Sequence, residues 1–480
     1  MNAPTKYLLS SLLFVLGSSC SAQKGLHSPK LRQGYANPIV DAAFTADPTA
    51  VEHEGRLYVY GTNDTEQYEQ AEKNSYEKIR TIAMMSTDDM VNWTFHGNIP
   101  VGKVAPWILN SWAPSVVSRM ENDGKTHFYL YFSNSGYGTG VLTATSPVGP
   151  WTSPLDKSLV DADSPGLGDC RVPFDPGAVI DGNGVGWLAV GAGKSRIARL
   201  GKDMVSVDSE WVNPRPQHHF EANELNVVGG KYVYTYNIDW EDHSDWQLSE
   251  EVPTRCCMAY MTSTTPLDSM SWHYGNAYLD NPGEFEGFSH ANNHTHLHKY
   301  QGKWYVFYHT LMLQDDMGME GGFRSMMVDE IEVDEQNVHI SPAKMTKQGV
   351  RQTHWLDPYQ LQQAETAAAT EGIRFEETDR AGNMVATAGK AFAKHGMPDQ
   401  SVICVRGVDF GKRSKGLTAH LKGNGTVEVS LDRQDDPRVA VLTSRREKWQ
   451  GVKSRCDIGG THDLFFILTG NVQFDDWQFW

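Results

Sequence analysis

Three carboxylic acids and a histidine recur at one place in a repeated pattern. Asp47 stands 11 residues before Tyr58, Asp175 stands 12 before Trp187, Glu221 stands 11 before Tyr232, and His294 stands 11 before Tyr305. Each opens a short β-like run, and the aromatic belongs to the strand that pairs with it. If these hairpins are equivalent units set around one axis, the four side chains meet in one pocket. Three carboxylates in a partly desolvated pocket cannot all ionise at neutral pH, so at least one pKa rises. That separates a proton donor from a proton acceptor, which is what acetal cleavage needs. An inverting pair held roughly 6.5–9.5 Å apart leaves room for the attacking water. A carboxylate cage for calcium, or caps on strand ends, are the alternative uses of the same acids.

The elements that must position these residues form a repeat. A short aromatic strand recurs at 55–62, 126–135, 185–192, 230–237 and 302–309, each preceded by another β-like run. No amphipathic helix of ordinary length lies between them. Five hairpins in succession predict a five-bladed β-propeller, whose innermost strands line a central axis. A sandwich is the alternative, but it gives no reason for five similar hairpins. The second unit departs from the pattern: Ala113-Pro114 replaces the acid, and Phe128 follows Ala113 by 15 residues.

The stretch of roughly residues 36–348 resembles glycoside hydrolase family 43. The likeness rests on Asn37-Pro38, Phe44-Thr45-Ala46-Asp47-Pro48, Ser111-Trp112-Ala113-Pro114 and Phe174-Asp175-Pro176-Gly177-Ala178. It continues through Phe220-Glu221-Ala222, Asn293-His294 and Phe323-Arg324-Ser325. The resemblance implies a five-bladed propeller and an inverting hydrolase acting on plant cell-wall polysaccharide. It implies Asp47 as general base, Asp175 as pKa modulator and orienting residue, and Glu221 as general acid. Asp41 competes with Asp47 for the base role. Glu224 competes with Glu221, and on an extended strand residues three apart face opposite ways. His294 reads as a sugar-binding or structural residue, or as a neighbour of an axial calcium. Arg324 reads as a sugar contact, with an ion pair to Asp329 as the alternative. Phe44 and Trp112 are candidate walls of the sugar pocket.

A different pattern follows Trp355-Leu356-Asp357-Pro358. Short alternating strands at 404–411, 425–432 and 462–470 predict a separate β-sandwich of jelly-roll type. This stretch resembles carbohydrate-binding module family 6, through Gln363-Ala364-Glu365, Val408-Asp409-Phe410-Gly411 and the closing Asp476-Trp477-Gln478-Phe479. By that resemblance Glu365 and Asp476 help hold a structural calcium. Trp449 is the candidate for sugar stacking, or a core residue. The fold class expected is therefore all-β, with an export signal at 1–22, a propeller at 31–350 and a carbohydrate-binding sandwich at 357–480.

Composition narrows the partners. Lys and Arg total 42 against 59 Asp and Glu, a net charge of -17. Such a field repels phosphate backbones and anionic lipid, so nucleic acid is excluded and a neutral polymer is not. Fourteen Trp and 19 Tyr suit sheet packing and sugar stacking alike. Lys6, the apolar run 8–16 and the small residues 18–22 read as a secretion signal, placing the protein outside the cell or in a periplasm. Leu16 to Cys20 also resembles a lipobox, with lipid anchoring through Cys20 as the alternative. No segment is long enough to span a bilayer. The six cysteines show no zinc or disulfide spacing. The expected activity is that of an exo-acting α-L-arabinofuranosidase on arabinoxylan, in a monomer with no organic cofactor. A β-xylosidase or other family 43 glycosidase is the alternative. A non-catalytic glycan-binding surface protein is the alternative of another class, and the three acids argue against it.

Overall fold

A computed structural model describes residues 29–70, 75–378, 384–389 and 401–480. The expected export signal, with Cys20, lies outside them. Strands dominate. The first blade comprises β1 (Ala46–His53), β2 (Arg56–Thr62), β3 (Ile82–Thr87) and β4 (Trp93–Ile99). The second has β5 (Trp112–Met120), β6 (Thr126–Ser133), β7 (Gly138–Ala144) and β8 (Val160–Asp161). The third has β9 (Gly177–Ile180), β10 (Gly186–Val190) and β11 (Arg196–Arg199). The fourth has β12 (Glu224–Val228), β13 (Lys231–Asn237), β14 (Met258–Ser263) and β15 (His273–Leu279). The fifth has β16 (His296–Tyr300), β17 (Lys303–Thr310) and β18 (Ser325–Glu330). A small ribbon, β19 (Val333–Asp334) with β20 (His339–Ile340), follows.

Within blades the simple apolar–polar alternation fails, because both faces are covered by neighbouring blades. Every residue of β3 is buried. Five apolar layers separate the blades. Leu130 packs with Val51 between blades one and two, and Leu188 with Tyr131 between two and three. Tyr234 packs with Trp187 between three and four, and Val306 with Val233 between four and five. Phe307 against Leu57 and Trp93 closes the ring. The segment before β1 reinforces closure: Ile39 and Thr45 donate backbone hydrogen bonds to Met326 and Arg324 of the last blade, both 2.9 Å.

The chain beyond the ribbon forms β21 (Gln362–Gln363), β22 (Thr366–Ala367), β23 (Ala369–Glu371), β24 (Ile373–Glu377), β25 (Met384–Ala388), β26 (Ser401–Asp409), β27 (Gly416–Leu431), β28 (Ala440–Arg455) and β29 (Thr461–Phe479). All but β22 join a second β-unit of sandwich type, whose core includes Phe466, Phe474, Trp477 and Phe479. The closing Asp476-Trp477-Gln478-Phe479 is not a strand of its own. It is the end of the long β29, offset by a register shift opposite His420 and Leu421.

This unit is built into the propeller rather than tethered to it. β22 pairs with β4 through Thr366–Thr94 and Ala367–Trp93, adding a fifth strand to the first blade. Phe375 stacks on Phe95, with ring centroids 5.8 Å apart. Asp41, weighed above as a catalytic base, is buried at this junction and accepts hydrogen bonds from the Thr370 amide at 3.0 Å and hydroxyl at 2.7 Å. Its place is structural. The five described cysteines are free thiols.

Candidate active site

The strand registers show how the axial residues are placed. A bulge interrupts β1 after Ala46 and β5 after Trp112, so Asp47-Pro48 and Ala113-Pro114 correspond. The pairings of β9 and β12 put Asp175 and Ala222 at the same position, not Glu221. The backbone agrees: φ is +50° at Asp47, +40° at Ala113, +48° at Asp175 and +58° at Ala222. Left-handed geometry at non-glycine residues costs on the order of 1–3 kcal/mol each. Here it turns the chain sharply as the inner strands of the first four blades begin. Glu221 therefore lies one residue before the repeated position, in register with Trp112 and Phe174. The spacing count above was out by one in that blade, because Tyr58 corresponds to Val233 rather than Tyr232.

Side chains from neighbouring strands pin these turns. The Asp47 amide donates to His309 Nδ1 at 3.1 Å, and the Ala113 amide to Thr62 Oγ1 at 2.8 Å. The Asp175 amide donates to Ser133 Oγ at 2.8 Å. In the fourth blade Asp175 itself takes this part, its Oδ2 accepting the Ala222 amide at 3.0 Å. Asp175 thus holds the turn that carries Glu221.

Asp47, Asp175, Glu221, His294, Arg324 and Trp112 all line one cavity of about 360 Å³, at the small end of ligand-binding pockets. Tyr76, Trp240, Asn292, Phe174 and Phe220 complete much of its wall. Phe44 does not reach it. The ring is wholly buried against Tyr68 and Phe323, so it has no face for a sugar, and its apolar bulk backs the wall instead. Glu224 is also outside the cavity lining. It is buried with His296, whose Nδ1 lies 3.0 Å from Glu224 Oε1.

Electrostatics divide the acids. Burial opposes ionisation of Asp47, but the Arg324 guanidinium at 2.9 Å, with His309 and His294 beside it, holds the carboxyl at about 2. Thr62 adds a hydrogen bond of 2.7 Å to Oδ2. Burial, then the charges of Asp175 and Asp47, push Glu221 up to about 8. Burial also raises Asp175, against the pull of His294. One acid is thus ionised and another protonated at neutral pH, in one pocket.

Arg324 does not pair with Asp329. Its fork is held by Asp64, with Nε to Oδ2 and Nη2 to Oδ1 both 2.9 Å, leaving Nη1 for Asp47. Asp329 instead accepts from Thr346 and Tyr308. Sequence reasoning missed Asp64 because it opens the short helix Asp64–Gln70, where an acid reads as a helix-start residue. His309 was passed over as part of an aromatic strand. Its Nδ1 accepts the Asp47 amide, so the proton sits on Nε2, which donates to the Asn292 carbonyl at 3.0 Å. Burial lowers His309 to about 3, so it orients Asp47 as a neutral ring. Tyr76 opens a short 3-10 helix, Tyr76–Lys78, and Trp240 comes from a loop, and neither carried a periodic signal.

In the second β-unit, β21 pairs with β29 through Gln363–Asp476, and the Ala364 amide donates to the Asp475 carbonyl at 2.9 Å. Glu365 is buried beside these acids, and its Oε2 has no hydrogen-bond partner among the described residues. Burial, with Asp475 and Asp476 nearby, pushes its carboxyl up to about 8. Trp449 is half-buried, with the Lys422 ammonium 5.7 Å from its ring centre.

Comparison with known proteins agrees with this architecture. A profile described as Glycosyl hydrolases family 43 matches residues 35–338. The chain is 32% identical to an arabinoxylan arabinofuranohydrolase of Bacillus subtilis (strain 168), over 93% of this chain and 92% of that one. It is 31% identical to an arabinoxylan arabinofuranohydrolase of Paenibacillus polymyxa, over 93% of this chain and 74% of that one. Among solved structures, that of a family 43 arabinoxylan arabinofuranohydrolase from Bacillus subtilis in complex with cellotetraose superposes with a TM-score of 0.85 at 30% identity. It covers 95% of this chain and 98% of its own.

Proposed function

This chain belongs to glycosyl hydrolase family 43, and from that premise we propose an inverting, exo-acting α-L-arabinofuranosidase that removes arabinofuranosyl groups from arabinoxylan. It is a glycoside hydrolase, and arabinoxylan arabinofuranohydrolases resemble it over nearly its whole length. The observation that carries the mechanism is the opposed ionisation of Asp47 and Glu221 in one small cavity. Asp47, ionised, takes a proton from a water as its oxygen attacks the anomeric carbon. Glu221, protonated, gives its proton to the departing xylosyl oxygen as the glycosidic C–O bond breaks. The two carboxyls end with their protons exchanged, and the sugar leaves with inverted configuration. Asp175 holds the Glu221 turn and keeps that acid protonated. His294 Nδ1 stands between the two acids from the fifth blade, 3.6 Å from Asp47 and 4.0 Å from Asp175. Trp112 and Arg324 contact the bound sugar.

Calcium belongs to this proposal at one place only. The buried Oε2 of Glu365, which has no hydrogen-bond partner among the described residues, lies near the charges of Asp475 and Asp476; calcium would staple β21 to β29 there if these carboxylates drew together and His420 released the Asp476 Oδ1 it meets at 2.6 Å. The axis fits it poorly. His294 offers nitrogen, and the neighbouring carboxylates are engaged by Arg324, Thr62, Ser133 and the Ala222 amide. The second β-unit, by its resemblance to carbohydrate-binding module family 6, would hold the polymer, and residues 1–22 would direct export.

The test is product analysis. Wheat arabinoxylan should release arabinose as the sole monosaccharide, with proton NMR showing the inverted anomer first. Release of xylose, or a first product of retained configuration, would overturn the assignment.

A further inference from the structure

A second chemical cluster stands on the segments that carry Trp240 and Glu221 to the cavity, apart from the acids. His218, Asp239 and His243 each offer one ligand atom, and these atoms lie within 4.8 Å of one another. Their hydrogen bonds do not balance as a set of neutral rings. His243 Nδ1 is 3.0 Å from the Pro253 carbonyl oxygen, a contact that only an N–H can make. Its Nε2 is 3.0 Å from Asp239 Oδ1. His218 repeats the form, with Nε2 2.6 Å from Asp245 Oδ1 and Nδ1 3.3 Å from Asp239 Oδ2. A neutral imidazole has one proton. Spent on the outer partner, it leaves a lone pair facing a carboxylate on each side of Asp239.

The contacts close if both rings are charged, which the Asp239 and Asp245 carboxylates favour at His218, if Asp239 holds a proton, or if a cation lies between them. Charging both would hold two imidazolium rings with centroids 4.7 Å apart, one of them, His243, with a side chain only 1% exposed. A central cation makes every contact favourable. Ligating histidines ordinarily donate the other ring N–H to a carboxylate or a backbone carbonyl, and here Asp245 receives one and Pro253 the other. We propose that His218 Nδ1, His243 Nε2 and the Asp239 carboxylate bind a divalent transition metal of the zinc class. Two imidazoles and one carboxylate suit zinc, whereas calcium wants an all-oxygen shell.

The site's place gives it a purpose. Asp239 and His243 lie on the segment joining β13 to β14, and between them Trp240 lines the sugar cavity. His218 lies three residues before Glu221. The Asp239 amide donates to the His218 carbonyl at 2.8 Å, so the two segments already run together. The metal fastens the Trp240 loop to the chain that delivers Phe220 and Glu221, fixing one wall of the cavity.

The test uses the full chain, with any affinity tag removed. Stripped with chelator and retitrated against a chromophoric zinc chelator, the wild type should take up one tight equivalent, and cobalt(II) in its place should give visible ligand-field bands. His218→Gln and His243→Gln should lose that equivalent. Asp245→Asn keeps all three ligands and an acceptor for His218 Nε2 but takes away the outer partner's charge, so it should fold and weaken zinc about 10–100-fold. No tight equivalent in the wild type overturns the proposal. So does uptake by both histidine variants equal to wild type. If those variants fail to fold, unchanged affinity in Asp245→Asn overturns it.

Discussion

At the scale of single residues the chemistry turns on which acid holds a proton. Glu221 should be needed protonated, and with its carboxyl near 8, kcat/KM falls as pH rises through about 8. Glu221→Gln should remove that alkaline limb and lose about 10²–10⁴ in rate on arabinoxylan. The same variant should keep part of its activity on an aryl arabinofuranoside, whose leaving group needs no proton. Glu224→Gln should be the milder change, because Glu224 is paired with His296 outside the cavity lining. A larger selective loss for Glu224→Gln would transfer the acid role to it. Asp47 must be ionised, and Arg324 keeps it so down to about 2. Lysine cannot reproduce a fork that grips Asp64 and Asp47 together. Arg324→Lys should therefore raise the Asp47 pKa and bring an acid limb into the measurable pH–rate profile. An unchanged acid side would show that Arg324 does not set the Asp47 charge.

At the scale of elements the junction between the two β-units matters most. β22 covers the outer edge of the first blade, an edge that would otherwise offer unpaired amides and carbonyls to solvent. A chain ending at residue 350 should melt below the full chain or aggregate, and equal melting would show that the edge protects itself. Asp41→Ala isolates one part of the junction. It strips the Thr370 amide of its buried acceptor, which costs about 1–3 kcal/mol in denaturant unfolding. The kcat/KM profile of the folded fraction should not move, since Asp41 bonds to the second β-unit and not to the cavity. A collapse of kcat/KM at unchanged stability would restore Asp41 as a catalytic base.

At the scale of the whole molecule charge and metal set the remaining expectations. A net charge of -17 neither attracts nor repels a neutral arabinoxylan. Raising salt from about 20 to 300 mM, across which the Debye length shortens several-fold, should change kcat/KM less than twofold. A strong salt dependence would point to a charged substrate. Calcium at Glu365, Asp475 and Asp476 would bind the folded state and not the unfolded one, so chelation should lower the melting temperature of the full chain and added calcium restore it. Absence of any shift would leave Glu365 as a protonated acid in a dry site.

The sequence by itself determined the class and the blade count. Paired aromatic strands repeat because each blade must bury both faces, and that demand is written locally. It also carried the three acids and Arg324, since short motifs at strand starts survive as patterns. What only the tertiary structure decided was direction and company. Whether Glu221 or Glu224 faces the cavity depends on a one-residue shift at a left-handed turn, and counting residues to an aromatic cannot resolve it. That Asp41 serves a junction, that Asp64 rather than Asp329 grips Arg324, and that His218 meets His243 across Asp239 are contacts between distant segments. They arise where loops within a blade, between blades and between the two β-units close on one another, and no local spacing encodes that closure.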